Sequence, residues 1–85
     1  MEYYVAVFKS RTEAISYTTN LRRNFIYANL IPTPVEVGRT CGLSVKIEIK
    51  DINEAKYLLS ISRNSSFLGW YRCTEINGRK IIVRD

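Results

Sequence analysis

From Leu43 to Lys50 the chain alternates without a break, Leu43, Val45, Ile47 and Ile49 against Ser44, Lys46, Glu48 and Lys50. Side chains of an extended backbone point alternately to opposite faces, so this segment is a strand with one buried face and one wet face. Such a strand needs neighbours, and the chain supplies them. Tyr3-Tyr4-Val5-Ala6-Val7-Phe8 is apolar on both alternation faces and rich in aromatic and β-branched residues, the composition of a central strand. Leu30-Ile31-Pro32-Thr33-Pro34-Val35 also reads as extended, but its two prolines remove ladder donors and confine it to a sheet edge.

Two helices separate these strands. Ser10 with Glu13 forms a Ser-x-x-Glu capping box, and Ala14, Thr18, Leu21 and Phe25 keep the helical period, widened by Ile15, to about Asn24. Asp51 caps a second helix, with Glu54 three residues on. Ile52, Ala55, Leu58, Leu59 and Ser62 form its buried face, and Arg63-Asn64-Ser65-Ser66 ends it. A strand follows from Gly69 to Ile76, and Asn77-Gly78 is a two-residue hairpin signal leading to a short return strand, Lys80-Ile81-Ile82-Val83. The order predicts an α+β, ferredoxin-like βαββαβ domain: an antiparallel sheet, two helices on one face and a C-terminal β-hairpin extension.

With 85 residues, the chain holds a single domain, 1–85. No apolar stretch approaches the roughly 18–20 residues that span a membrane, and Met1-Glu2-Tyr3-Tyr4 lacks a leader pattern, so a cytoplasmic protein is expected. Thirteen Lys and Arg against eight Asp and Glu give a net charge of +5. The cations are scattered, the distribution of a solvated surface rather than a nucleic-acid stripe. Modules of this fold that stack bases carry aromatics on the third strand. Leu43–Ile49 has none, which argues against that stacking platform and leaves nucleic acid a possible partner that is not favoured.

The chain contains no histidine, so the commonest general base and metal ligand is missing. No carboxylate pair, nucleophile-base pair, phosphate loop or metal cluster can be assembled from the sequence. Neither an enzyme nor a bound cofactor or metal is expected. Attention falls instead on Cys41, in Arg39-Thr40-Cys41-Gly42-Leu43-Ser44, at the break between the proline segment and the alternating strand. The topology brings this loop to the end of the sheet where the first strand exits and the first helix begins, at Lys9, Ser10 and Arg11. A helix N-terminus and nearby cations favour thiolate over thiol. The alternative for Cys41 is a core filler at a strand start. Cys73, between Arg72 and Thr74 inside a strand, reads as packing, and the two cysteines make no disulfide framework.

Tyr4-Val5 with Phe8, Ser10 with Ala14, Ile31-Pro32-Thr33-Pro34 and above all Cys41-Gly42-Leu43-Ser44 resemble a family of small bacterial and archaeal proteins labelled selenium/sulfur carrier-like, from Tyr3 to about Arg72. The resemblance implies that Cys41 is the functional residue, accepting sulfur or selenium from a donor protein. Gly42 would leave the donor room, and Lys9, Ser10, Arg11 and Arg39 would line the site and favour the anion. The tail from Cys73 to Asp85 extends beyond the family pattern. The alternative is a non-catalytic interaction or regulatory domain that binds nucleic acid or a small anion.

Because the first strand is apolar on both faces and two helices cover only one, a homodimer is expected. It would pack open sheet faces together or pair edges through Lys80–Val83. A C-terminal hairpin folding back is the intramolecular alternative.

Overall fold

The computed structural model describes residues 1–38 and 42–85. Its elements run β1 (Glu2–Phe8), α1 (Arg11–Arg23), β2 (Ala28–Pro32), β3 (Leu43–Glu48), α2 (Ile52–Ser60), β4 (Phe67–Ile76) and β5 (Arg79–Arg84), with short 3-10 turns at Val35–Val37 and Ile49–Asp51. Five strands make one antiparallel sheet in the order β2-β3-β1-β4-β5. The class is α+β, with β1 at the centre and β2 on an edge, where the missing amide of Pro32 does no harm.

Both helices lie on one face. Ala14, Tyr17 and Leu21 of α1 and Ala55, Leu58 and Leu59 of α2 form one cluster with Ala6, Phe8, Val45 and Ile47 of the sheet. The Tyr17 hydroxyl donates to the Ala55 carbonyl oxygen at 2.6 Å and links the two helices inside the core. Among the described residues no helix is long and apolar enough to cross a membrane.

The other side of β1 is closed as well. Tyr3, Val5 and Val7 are buried with Cys73, and Ile31, Val37, Tyr71 and Ile82 pack against them. β5 lies beside β4 in the plane of the sheet, pairing Ile82 with Cys73. The hairpin therefore widens the sheet and does not fold across it.

Three expectations need correction. The second strand spans Ala28–Pro32 and not Leu30–Val35, because Thr33 and Pro34 turn the chain into the 3-10 segment at Val35–Val37. Ile49 and Lys50 leave the alternating strand for the turn before α2, where Asp51 makes no side-chain capping bond. Ile15 is 46% exposed and does not widen the buried stripe, and Phe25 is no part of it: Phe25 is 98% exposed, and Ile26 is buried in its place at 3%. The cause is a Schellman motif. Phe25 takes the left-handed conformation at φ 62°, its N–H donates to the Arg22 carbonyl at 3.1 Å and that of Ile26 to the Leu21 carbonyl at 3.0 Å. This reversal shifts the apolar position by one residue.

Candidate functional site

The register fixes where the two halves of the expected site leave the sheet. Val7 pairs with Ser44 in the β1–β3 ladder, and Ile31 and Pro32 pair with Ser44 and Leu43 in the β2–β3 ladder. Gly42, just before β3, and Lys9, just after β1, therefore leave the sheet at the same end. Arg39 and Cys41 lie outside the described residues.

The connection between β2 and β3 is held where it meets the sheet. The Thr33 N–H donates to the Gly42 carbonyl oxygen at 2.9 Å, and the Thr33 and Ser44 hydroxyls share a hydrogen bond at 2.7 Å. Gly42 sits at φ 93°, a conformation that L-residues rarely adopt, and a Cβ there would meet no atom within 4 Å. The glycine is thus required by its backbone and leaves open space beside it.

On the β1 side, the Lys9 N–H donates to the Ser66 carbonyl at 2.7 Å, which fixes the exit of the strand. The Ser10 hydroxyl accepts the Glu13 N–H at 3.3 Å and so caps α1. Lys9 and Arg11 are exposed and make no side-chain hydrogen bond or ion pair among the described residues. Two exposed cations and a capped helix N-terminus at one end of a sheet make an environment that favours a thiolate or another small anion.

A groove of about 500 Å³ lies on the sheet face away from the helices, lined among others by Tyr3, Thr33, Pro34, Glu36, Lys46 and Lys80. It starts at the same Thr33 that pins the β2–β3 connection. Nothing in the sequence pointed to this groove, because Ser44 and Lys46 fall on the side of the alternation expected to face water. Ser44 is fully buried, its hydroxyl satisfied by Thr33. Lys46 lies over the Tyr3 ring, 4.4 Å from its centre.

Cys73 faces the same side and is fully buried against Tyr3, its partner in the β1–β4 register. Burial pushes its thiol pKa above the ordinary value, although Lys80 and a hydrogen bond with Tyr3 act in the opposite sense. This thiol is a packing group, as its place inside a strand indicated. Among the described residues no cluster of His, Cys, Asp and Glu could hold a metal ion.

A family model described as "Putative Se/S carrier protein-like" matches residues 3–72. That span includes the proline segment, the Cys41-Gly42 pair, and both helices. No curated protein and no solved structure shows a significant match.

Proposed function

From the premise that the chain belongs to the Se/S carrier protein-like family, we propose that it carries sulfur or selenium as an adduct on Cys41. The observation that carries this reading is the family match across the Cys41-Gly42 segment. The surroundings agree with it: Gly42 has open space at its Cα, and Lys9 and Arg11 stand exposed where the strands leave the sheet.

The transfer is an exchange between sulfurs. The Cys41 thiolate attacks the terminal sulfur of a donor persulfide, the donor's S–S bond breaks, and its cysteine leaves as thiolate while Cys41 becomes the persulfide. Zero-valent sulfur moves and no external oxidant is consumed. A terminal selenium would follow the same course. Lys9, Arg11 and Arg39 favour the anionic forms on both sides of the exchange, and Ser10 holds the α1 N-terminus at this end.

The partner in this reading is a sulfur or selenium donor protein, in the reducing cytoplasm, where a free thiol persists. The frame is the ferredoxin-like split-βαβ arrangement with β5 added outside β4; the support is the order β2-β3-β1-β4 and the shared helix face. Pairing of two copies through the outer edge of β5 belongs to the same reading, since Ile81 and Val83 are 54% and 59% exposed there.

Mass spectrometry after incubation with a cysteine desulfurase and cysteine tests the carrier. The expected product is the protein plus the mass of one sulfur atom, released by dithiothreitol and missing from Cys41→Ser. An unmodified Cys41 across several sulfur and selenium donors refutes the reading.

A second reading, an anion-binding interaction domain, has one observation in its favour. Arg23 and Arg63, neither bonded among the described residues, line a groove of about 510 Å³ with Ser16, Asn20, Phe8, Tyr17 and Leu59, and its one carboxylate, Glu13, is engaged by Ser65 and Ser66. Thermal shift on addition of phosphate, with Arg63→Gln as control, separates it from the first.

A further inference from the structure

The α1–β2 corner, Arg22-Arg23-Asn24-Phe25-Ile26-Tyr27, works against the stability of its own fold. Phe25 occupies the C′ position of a Schellman motif at φ 62°, where glycine is the usual residue because a Cβ is strained there. The same phenylalanine is 98% exposed and Tyr27, two residues on, is 63% exposed. A large apolar ring held in a strained backbone position and left in water gains nothing for the folded chain. Departures of this kind from local consistency concentrate at functional sites.

The surroundings define what the rings can meet. Phe25 and Tyr27 bound an open cleft of about 420 Å³ together with Arg22 and Asn29, and no acidic residue lines it. Arg22 donates from Nε to the Ala28 carbonyl at 3.0 Å, which fixes its guanidinium at the cleft while both Nη groups have no partner among the described residues. Arg23, adjacent in sequence, is exposed and also unbonded among the described residues; it lines the groove with Arg63 and not this cleft, and reaches the corner only as its neighbour. The neighbouring cavity, which shares Tyr27 and Asn29, adds Lys46 and one carboxylate, Glu48.

We propose that this corner binds single-stranded nucleic acid, with a base against the Phe25 and Tyr27 rings and the adjoining phosphates at Arg22 and Arg23. Flat π faces and closely spaced negative charge occur together in a single strand, and a pair of exposed rings beside guanidinium groups with open Nη donors is the matching surface. The net charge of +5 adds general attraction. Asn29, at the cleft wall, supplies an amide for a base edge. The aromatics stand at the corner between α1 and β2 and not on β3, so the stacking platform excluded from the sequence is not the one proposed.

The corner is separate from the end of the sheet at Gly42. Ala28 pairs with Ile47, which pairs with Tyr4 near the start of β1, whereas Leu43, next to Gly42, pairs with Pro32 at the far end of β2. The two sites stand at opposite ends of the sheet, and neither reading rests on the other.

Fluorescence anisotropy with labelled oligouridylate and oligothymidylate of roughly ten nucleotides tests the proposal, titrated between about 50 and 200 mM salt. Binding is expected to weaken with salt. Phe25→Gly and Tyr27→Ala are each expected to lower affinity about tenfold or more, while Phe25→Tyr retains it. Arg23→Gln should reduce the salt slope by roughly one. Phe25→Gly is also expected to melt at a higher temperature than the parent, so its lost binding cannot come from unfolding. Binding of only the ribose or only the deoxyribose strand identifies the source, and either result supports the proposal. No salt-sensitive binding to either strand, or binding that Phe25→Gly leaves unchanged, overturns it and leaves the exposed ring to a protein partner.

Discussion

Glu13 reaches from the first turn of α1 to Ser66, its Oε1 accepting the Ser66 backbone N–H at 2.9 Å and the Ser66 hydroxyl at 2.6 Å. Its second oxygen accepts the Ser65 hydroxyl at 2.8 Å. Only half of the capping box read from Ser10 and Glu13 is thus made by the expected groups. Ser10 caps the Glu13 amide, while the carboxylate binds the segment that leads into β4.

The bonds from Ser66 and Ser65 hold the Glu13 carboxyl below its usual pKa. A depressed carboxylate stabilises the fold above its unfolded value, near 4.3, and that contribution disappears as pH falls through the lower folded value. Glu13→Gln should therefore be less stable than the parent at neutral pH and converge with it in acid. Urea denaturation of both proteins at pH 7 and about 3 measures this. A constant gap between the two curves contradicts the assignment.

Alkali should act through other groups. Burial raises the pKa of Tyr17 strongly, and it also raises those of Tyr3 and Cys73. Raised acids stabilise the fold below their unfolded values, so stability should decline from about pH 8.5, where an unfolded thiol begins to ionise, and more steeply beyond 10, where tyrosine follows. Tyr17→Phe, which removes the bond to Ala55, is expected to cost about 1 kcal/mol at pH 7, read by thermal denaturation.

The two thiols should differ in reactivity. Cys73 is inaccessible and its pKa is raised, so it should resist alkylation until the protein unfolds. The carrier reading requires Cys41 to react in the native state, faster as pH rises. Iodoacetamide labelling followed by peptide mapping decides between them. Native labelling of Cys73 ahead of Cys41 removes the chemical basis of the proposed function.

Gly69 opposes Val7 next to the register shift between β1 and β4, at φ 153°. Arg84 lies across it: its guanidinium donates to the Leu68 carbonyl at 3.0 Å, and a Cβ on Gly69 would stand 3.0 Å from Nη2. Gly69→Ala should cost roughly 1–3 kcal/mol through backbone strain. Arg84→Ala in the same background should recover little of it, because the long side chain can move aside and the backbone cannot. Denaturation of both variants provides the comparison.

Pairing through β5 would bring Arg79, Lys80 and Arg84 of two copies together. Dimerisation along that edge should therefore strengthen with salt, as screening removes like-charge repulsion, and Val83→Lys should abolish it. Light scattering at low and high ionic strength gives the mass directly. A monomer at every salt concentration rejects the edge dimer.

Much of the fold was legible because it follows from periodicity. The unbroken alternation from Leu43, the two-faced apolar run of β1 and the prolines of β2 each fix a position in the sheet on local grounds. What could not be read are contacts between distant segments. Nothing local distinguishes Glu13 as a clamp on Ser66 from Glu13 as a cap partner of Ser10. Phe25 and Ile26 exchanged roles because a left-handed residue breaks the helical period, and glycine, the usual signal for that break, is absent there. Ser44 fell on the polar side of an alternation whose far face proved buried by Val37 and Ile31. Of the candidate site, the end of the sheet follows from strand order alone, whereas the groove beside Thr33 depends on β2 ending at Pro32.

The hydroxyl pair of Thr33 and Ser44, with the Thr33 amide on Gly42, closes the segment between them into a ring that touches the core through Val37. Lengthening a loop closed at its neck adds only slowly to its entropy cost. Selection can therefore vary the length and wording of that segment while the sheet keeps its register. Chemistry at the loop and stability of the sheet beneath it thus meet at two residues, Thr33 at the neck and Val37 on the core.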